Sequence, residues 1–130
     1  MADYAQICEL FARYAAAIDS RDPAMLRDVL TDDARFVAHI ADGPTAGPLE
    51  SGDAVVDFIS STTATQHGQR RHVMTSVWRQ GETAHAFVSL FETANGRTRV
   101  LTAGTYRTTV VETDGDARFS DIAVRLDGQD

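Results

Sequence analysis

Along this chain the spacing of apolar residues changes for good after about residue 64. Up to there they recur in steps of three and four except for a weak alternation over 34–39, and from about residue 70 onward in steps of two. Helices first and long strands afterwards is the order of an α+β domain, in which the helices cover one face of a sheet because neither layer can bury its apolar side alone. At 130 residues the chain can bury one core and is short for two. Residues 1–130 are therefore expected to form one domain.

Ile7, Leu10, Phe11, Tyr14 and Ile18 form one stripe of an amphipathic helix over about residues 3–20. Asp22 before Pro23 reads as an N-cap with proline in the first turn, and Met25, Leu26, Val29 and Leu30 give a short second helix that Thr31-Asp32-Asp33 should end. A first strand is expected over about 34–39. Gly43, Pro44, Gly47 and Pro48 predict a loop, and a third helix over about 52–64 would bury Val55, Val56, Phe58 and Ile59. Turn signals at Gly81, Asn95-Gly96 and Asp114-Gly115 separate four strands near 70–79, 82–94, 97–112 and 117–127, an antiparallel meander. Asp127-Gly128-Gln129-Asp130 is polar enough to fray.

Composition removes several kinds of chemistry. Cys8 is the only cysteine, so there is no internal disulfide and no thiolate metal cluster. All twelve basic residues are arginines, which excludes a lysine Schiff base. A net charge of -7, with basic residues scattered apart from Arg70-Arg71, argues against nucleic acid. No basic start with an apolar run follows Met1, and no membrane-length apolar stretch occurs, so a cytoplasmic address without membrane association is expected. The sequence has no H-E-x-x-H, phosphate-cradling glycine loop or G-x-S-x-G, so no metal and no cofactor are expected.

Period two from Arg71 to Arg79 places His72, Met74, Ser76 and Trp78 on one face and Val73, Thr75 and Val77 on the other. Polar groups mixed with a large aromatic suit a ligand pocket, and the first face has that mixture. A histidine at a strand entrance with a structural hydrogen bond is the other reading of His72. Asp19 shares a helix face with Cys8, Ala12 and Ala15, whose small size leaves room for its carboxylate to reach the interior; capping or solvation is its ordinary alternative. Tyr14, on the buried stripe, needs a partner for its hydroxyl, either structural or a ligand. His85 shares a strand face with Phe87, Ser89 and Phe91, while His39 and His67 fall near loops.

The opening from Phe11 through Tyr14 and Asp19 to Asp22, followed by Leu30-Thr-Asp-Asp-Ala34, resembles that of SnoaL-like (nuclear transport factor 2-like) proteins. Arg71-His72-Val-Met-Thr-Ser76 resembles the segment carrying the pocket histidine of scytalone dehydratase and hexachlorocyclohexane dehydrochlorinase, and Gly104-Thr105-Tyr106 a later strand of the latter. The resemblance implies three helices packed in a cone on a strongly curved, mostly antiparallel sheet. It also implies an aspartate–histidine dyad at Asp19 and His72. Tyr14 stands five residues before Asp19, as a tyrosine does in bile-acid 7α-dehydratase, and Arg13-Tyr14 resembles the enolate-binding stretch of Δ5-3-ketosteroid isomerase.

Departures narrow what carries over. The isomerase's base aspartate falls near Ala38 and its second near Thr105; the dehydratase's second histidine has no counterpart near Thr93; the dehydrochlorinase's arginine falls near Ile122. The expectation is a cofactor-independent, dehydratase-like lyase or isomerase with Asp19, His72 and Tyr14 as catalytic groups. Its pocket would be lined by Phe11, Met74, Trp78, Phe87, Phe91 and Phe58, for a hydrophobic cyclic substrate such as a terpenoid, polyketide or steroid. The competing expectations are a binding or scaffolding module, like the β subunits of ring-hydroxylating dioxygenases, and a hydrolase of limonene-epoxide type with Asp121 and Arg107 as loose candidates. Val100, Thr102, Tyr106, Thr108 and Val110 would form an outer half-apolar patch through which two copies pair.

Overall fold

Caps written into the sequence start each helix of the computed structural model, which describes residues 1–128. Asp3 accepts the Gln6 N–H at 2.8 Å and donates its own N–H to the Gln6 side chain at 2.9 Å, a capping box that begins α1 at Tyr4–Asp19. Asp22 caps α2, Pro23–Asp28, and Ser51 caps α3, Gly52–Ala64. Losing such a cap costs about 1 kcal/mol. The expected stripe of α1 is buried, together with Ala15 and Ala17.

Six strands follow the order β2-β1-β6-β5-β4-β3, with β1 at Leu30–Ile40, β2 at Thr45–Leu49, β3 at Gln69–Gln80, β4 at Thr83–Ala94, β5 at Arg97–Thr113 and β6 at Asp116–Leu126. The last four are the expected meander. β1 joins it in parallel beside β6, and every other pair is antiparallel. The segment expected as a loop around Gly47-Pro48 is instead β2, an edge strand paired with β1, where a proline costs no interior ladder bond. Thr31-Asp32-Asp33 lies inside β1 and does not end α2; Arg27, bonded to Asp32 at 2.6 Å and Asp53 at 2.9 Å, ties α2, β1 and α3 together.

Three bulges set which side chains face the helices. In β3, Ser76 and Val77 together oppose Ala86, and Ser76 takes a positive φ of 55°. In β5 the extra residue is Leu101, between the pairs Leu90–Thr102 and Phe91–Val100. In β6 it is Ser120, between Asp121–Thr109 and Phe119–Val110. Each bends its strand and adds local twist. Gly104 lets β5 approach β6 closely, since a Cβ there would overlap the Arg125 carbonyl.

The core lies between α1 and the concave face. Phe11, Tyr14, Tyr106 and Phe119 form an aromatic cluster with ring centroids 5.1 to 6.5 Å apart. Phe119 is fully buried, and large side chains buried in this way each contribute about 1.5–3 kcal/mol. Asp127 donates to the Ala103 carbonyl at 2.8 Å, so that residue is tied down; Gln129 and Asp130 lie outside the described residues. No helix among the described residues is long and apolar enough to cross a membrane.

Candidate active site

The last residue of α1 meets the first half of β3. Asp19 Oδ1 lies 2.7 Å from His72 Nδ1, and Asp19 Oδ2 accepts the His72 backbone N–H at 2.7 Å. One carboxylate therefore holds both the ring and the strand that carries it. Gln69 fixes the helix end by donating to the Asp19 carbonyl at 2.8 Å. The Asp19 and His72 side chains keep only 9% and 16% of their exposure. An ionised carboxylate against Nδ1 makes that nitrogen the donor, which leaves Nε2 with its lone pair.

His72 forms part of the wall of a cavity of about 410 Å³ between α1, α3 and the concave sheet. Most of the lining is apolar: Ile18, Phe36, Ile40, Phe58, Ile59, Val88, Leu90, Leu101, Val124 and Leu126. The polar lining is sparse and placed, with Tyr14, Tyr106 and His72 joined by Thr62, Thr63, Gln66, Thr102, Arg70 and Arg99. On its other side His72 borders an open cleft along α1 and β3, which Asp19 lines with Cys8, Ala12 and Ala15, the small residues of its helix face.

Tyr14 and Tyr106 are both buried, with their hydroxyl oxygens 3.1 Å apart. Two hydroxyls share one proton between them, so one O–H remains for another acceptor. Burial pushes the Tyr106 phenol up to about 12, and burial with the neighbouring phenol raises Tyr14 well above its ordinary value. Both stay neutral donors at physiological pH. No group of three or more metal-ligating side chains occurs among the described residues.

Of the six expected pocket residues, Phe58 lines the cavity. Phe11 is in the core, and together with Met74 it lines the outer cleft. Trp78, Phe87 and Phe91 do not line the cavity. The Ser76 bulge reverses the alternation in β3, so Val77 turns inward while Trp78, 46% exposed, stacks on His85 with ring centroids 3.9 Å apart. On β4, Ala84, Ala86, Val88 and Leu90 take the inner face, leaving His85, Phe87 and Phe91 on the outer one. Phe87 is 51% exposed. The expected outer patch on β5 is also corrected: Thr102, Tyr106, Thr108 and Val110 are buried against the helices, and only Val100 is exposed. Alternation separates two faces without saying which one meets the helices. Tyr106, Arg70 and Arg99 were missed as lining residues. Asp121 pairs with Thr109, and Arg107 with His85, on the outer face, so no epoxide-hydrolase trio is assembled in the cavity.

Three helices on a curved sheet around such a cavity define a nuclear transport factor 2-like domain with a cystatin-like fold, a class shared by a Novosphingobium aromaticivorans protein so described (22% identity, TM-score 0.73, 95% of this chain and 81% of that one). Residues 1–122 match the model of the SnoaL-like domain, and the chain belongs to that family. ActVI-ORFA of Streptomyces coelicolor has a similar structure at 18% identity, with a TM-score of 0.78 over 95% of this chain and 97% of that one. A Catenulispora acidiphila protein in complex with S-DNPA is similar at 21% identity, with a TM-score of 0.78 over 95% and 92%. The β subunit of a putative aromatic-ring-hydroxylating dioxygenase from Novosphingobium aromaticivorans has 20% identity and a TM-score of 0.74 over 97% and 90%. No curated protein matches the chain in sequence. At these identities the similar structures establish the fold.

Proposed function

We propose that the protein is a cofactor-independent lyase or isomerase, dehydratase-like, acting on a hydrophobic cyclic small molecule. The observation that carries this reading is the 2.7 Å contact between Asp19 and His72 Nδ1, with the same ring forming part of the cavity wall. His72 Nε2 takes a proton from a carbon beside a carbonyl, and Asp19 stabilises the imidazolium that results. The free hydroxyl of the Tyr14–Tyr106 pair donates to the enolate oxygen as charge develops. The electron pair then either expels a hydroxyl, which leaves as water with the proton held on His72, or is reprotonated at another carbon to shift the double bond. The small-molecule complex of the Catenulispora acidiphila protein supports a ligand in the cavity.

The test is turnover of cyclic β-hydroxy ketones by the full chain. A general base contributes about 10² to 10⁴ in rate, so folded His72→Ala should lose that much, and unchanged turnover overturns the proposal. The dioxygenase β subunit of similar structure favours a second reading, a binding or scaffolding module. Co-purification with a larger partner and absence of His72-dependent turnover would select it.

A homodimer through the sheet is proposed on a corrected surface. Val73, Trp78, Phe87 and Val100 are 41 to 51% exposed on the outer face, and covering them would remove the largest apolar exposure of the sheet. Sedimentation giving only monomer at micromolar concentration overturns the pairing.

A further inference from the structure

Three charged side chains lie in a row across the inner face of three neighbouring strands. Register places Arg70 of β3 opposite Glu92 of β4, and Glu92 opposite Arg99 of β5. Glu92 Oε2 accepts from Arg70 Nε at 3.4 Å, and Oε1 accepts from Arg99 Nη2 at 3.2 Å. Both arginines line the cavity, beside Gln66 and Thr62, while Glu92 does not. In a chain of net charge -7, no carboxylate among the described residues lines this cavity. Two guanidinium groups held by one carboxylate leave an unbalanced positive charge at the rim. Each arginine uses one of its five donors on Glu92 and keeps the rest. Glu92 is 13% exposed and Arg99 60%, so the carboxylate sits beneath the arginines as an anchor and Arg99 reaches toward solvent.

We propose that Arg70 and Arg99 recognise a carboxylate carried by the cyclic ligand, with Glu92 holding both guanidinium planes in position. This rests on the reading of the cavity as a ligand site and names the ligand class: an amphiphilic acid, its rings in the apolar chamber and its carboxylate at the rim. A planar guanidinium matches a carboxylate in two parallel hydrogen bonds, which adds geometric specificity to the charge attraction. A surface ion-pair ladder with only a structural role would discriminate no ligand.

The experiment compares binding of naphthylacetic acid and naphthylacetamide to the full chain by calorimetry near neutral pH, where the acid is ionised. Charge-assisted hydrogen bonds should make the acid bind about tenfold tighter or more. That ratio should fall to about one in Arg70→Gln/Arg99→Gln with amide affinity retained, and part of the way in Arg99→Gln, whose exposed side chain leaves the core intact. Added salt should weaken the acid alone. Equal behaviour of acid and amide, whether both bind or neither does, overturns the proposal, as does a ratio that survives in the double variant. An acid preference without His72-dependent turnover leaves the rim standing and removes the lyase reading; His72-dependent turnover with equal binding does the reverse.

Discussion

His72 and His85 sit on adjacent strands, β3 and β4, yet face opposite sides of the sheet and live in opposite surroundings. His72 is held by a carboxylate at 2.7 Å and borders the cavity; His85 is stacked on Trp78, beside Arg107, with no carboxylate among the described residues bonded to it. The carboxylate fixes the orientation of the His72 ring and its Nδ1–H tautomer, as acid–base work requires. Burial and the Arg107 charge instead lower the His85 pKa and favour its neutral ring. The same residue type becomes a candidate base on one face and an aromatic stacking partner on the other. The strand face, rather than the residue, sets the role.

The strongest way to break this comparison is to remove the partner. Asp19→Ala strips both the His72 ring and its backbone N–H of their acceptor in a nearly buried place, and each unsatisfied group costs about 1–3 kcal/mol. Urea unfolding should show a loss of that order, with Asp19→Asn recovering part of it. His85→Ala removes one exposed stacked pair, worth about 0.5–1.5 kcal/mol. Equal losses at the two sites would abolish the distinction.

An intermediate effect concerns how dry the inner face is. The Tyr106 phenol titrates at about 12 in the folded chain and near 10 unfolded, and Tyr14 is raised in the same direction. Between those values the folded state keeps protons that the unfolded state releases. Stability linked to Tyr106 is therefore complete below about pH 10 and lost as pH rises through about 12, and Tyr14 contributes with the same sign. Phenolate absorbance should detect the exposed Tyr4 ionising before Tyr14 and Tyr106, which ionise only as the fold fails. Ionisation of all three near pH 10 with the fold intact would contradict a dry cavity floor.

The smallest effect belongs to the outer histidine. Trp78 is the only tryptophan, so its fluorescence should follow His85 protonation with a midpoint below the ordinary value of about 6.5. The sign is opposite to that of the tyrosines: stability linked to His85 is present above about pH 6.5 and declines as pH falls. Arg107→Gln should move the midpoint upward, and a midpoint already above the ordinary value would refute the assigned surroundings.

Local patterns were sufficient for the helices. The 3.6-residue stripe from Ile7 to Ile18, the cap at Asp22 and the burial of Val55, Val56 and Ile59 on α3 each depend on neighbours within a few residues, and the turns at Gly81, Asn95-Gly96 and Asp114-Gly115 separate the strands where expected; Phe58, expected in the same buried face, is instead 36% exposed where it lines the cavity. Helix periodicity and turn geometry are set by short-range sterics and hydrogen bonds, so they can be read from sequence. The small-residue face around Asp19 pointed to the interior, whereas the carboxylate lines the outer cleft and, of the dyad, only His72 reaches the cavity. What only the tertiary structure decided was register. The bulge at Ser76 turned Trp78 outward, the one at Leu101 left Val100 outside and Thr102 inside, and contact with α1 showed which face of β5 is buried. Pairing with β1 made a strand of the Gly47-Pro48 segment. Cross-strand alignment brought Arg70, Glu92 and Arg99 into one row, and the packing of α1 on the sheet set Tyr14 against Tyr106. A one-residue slip exchanges the two faces of a strand, and the energy that prevents the slip comes from partners far away in sequence.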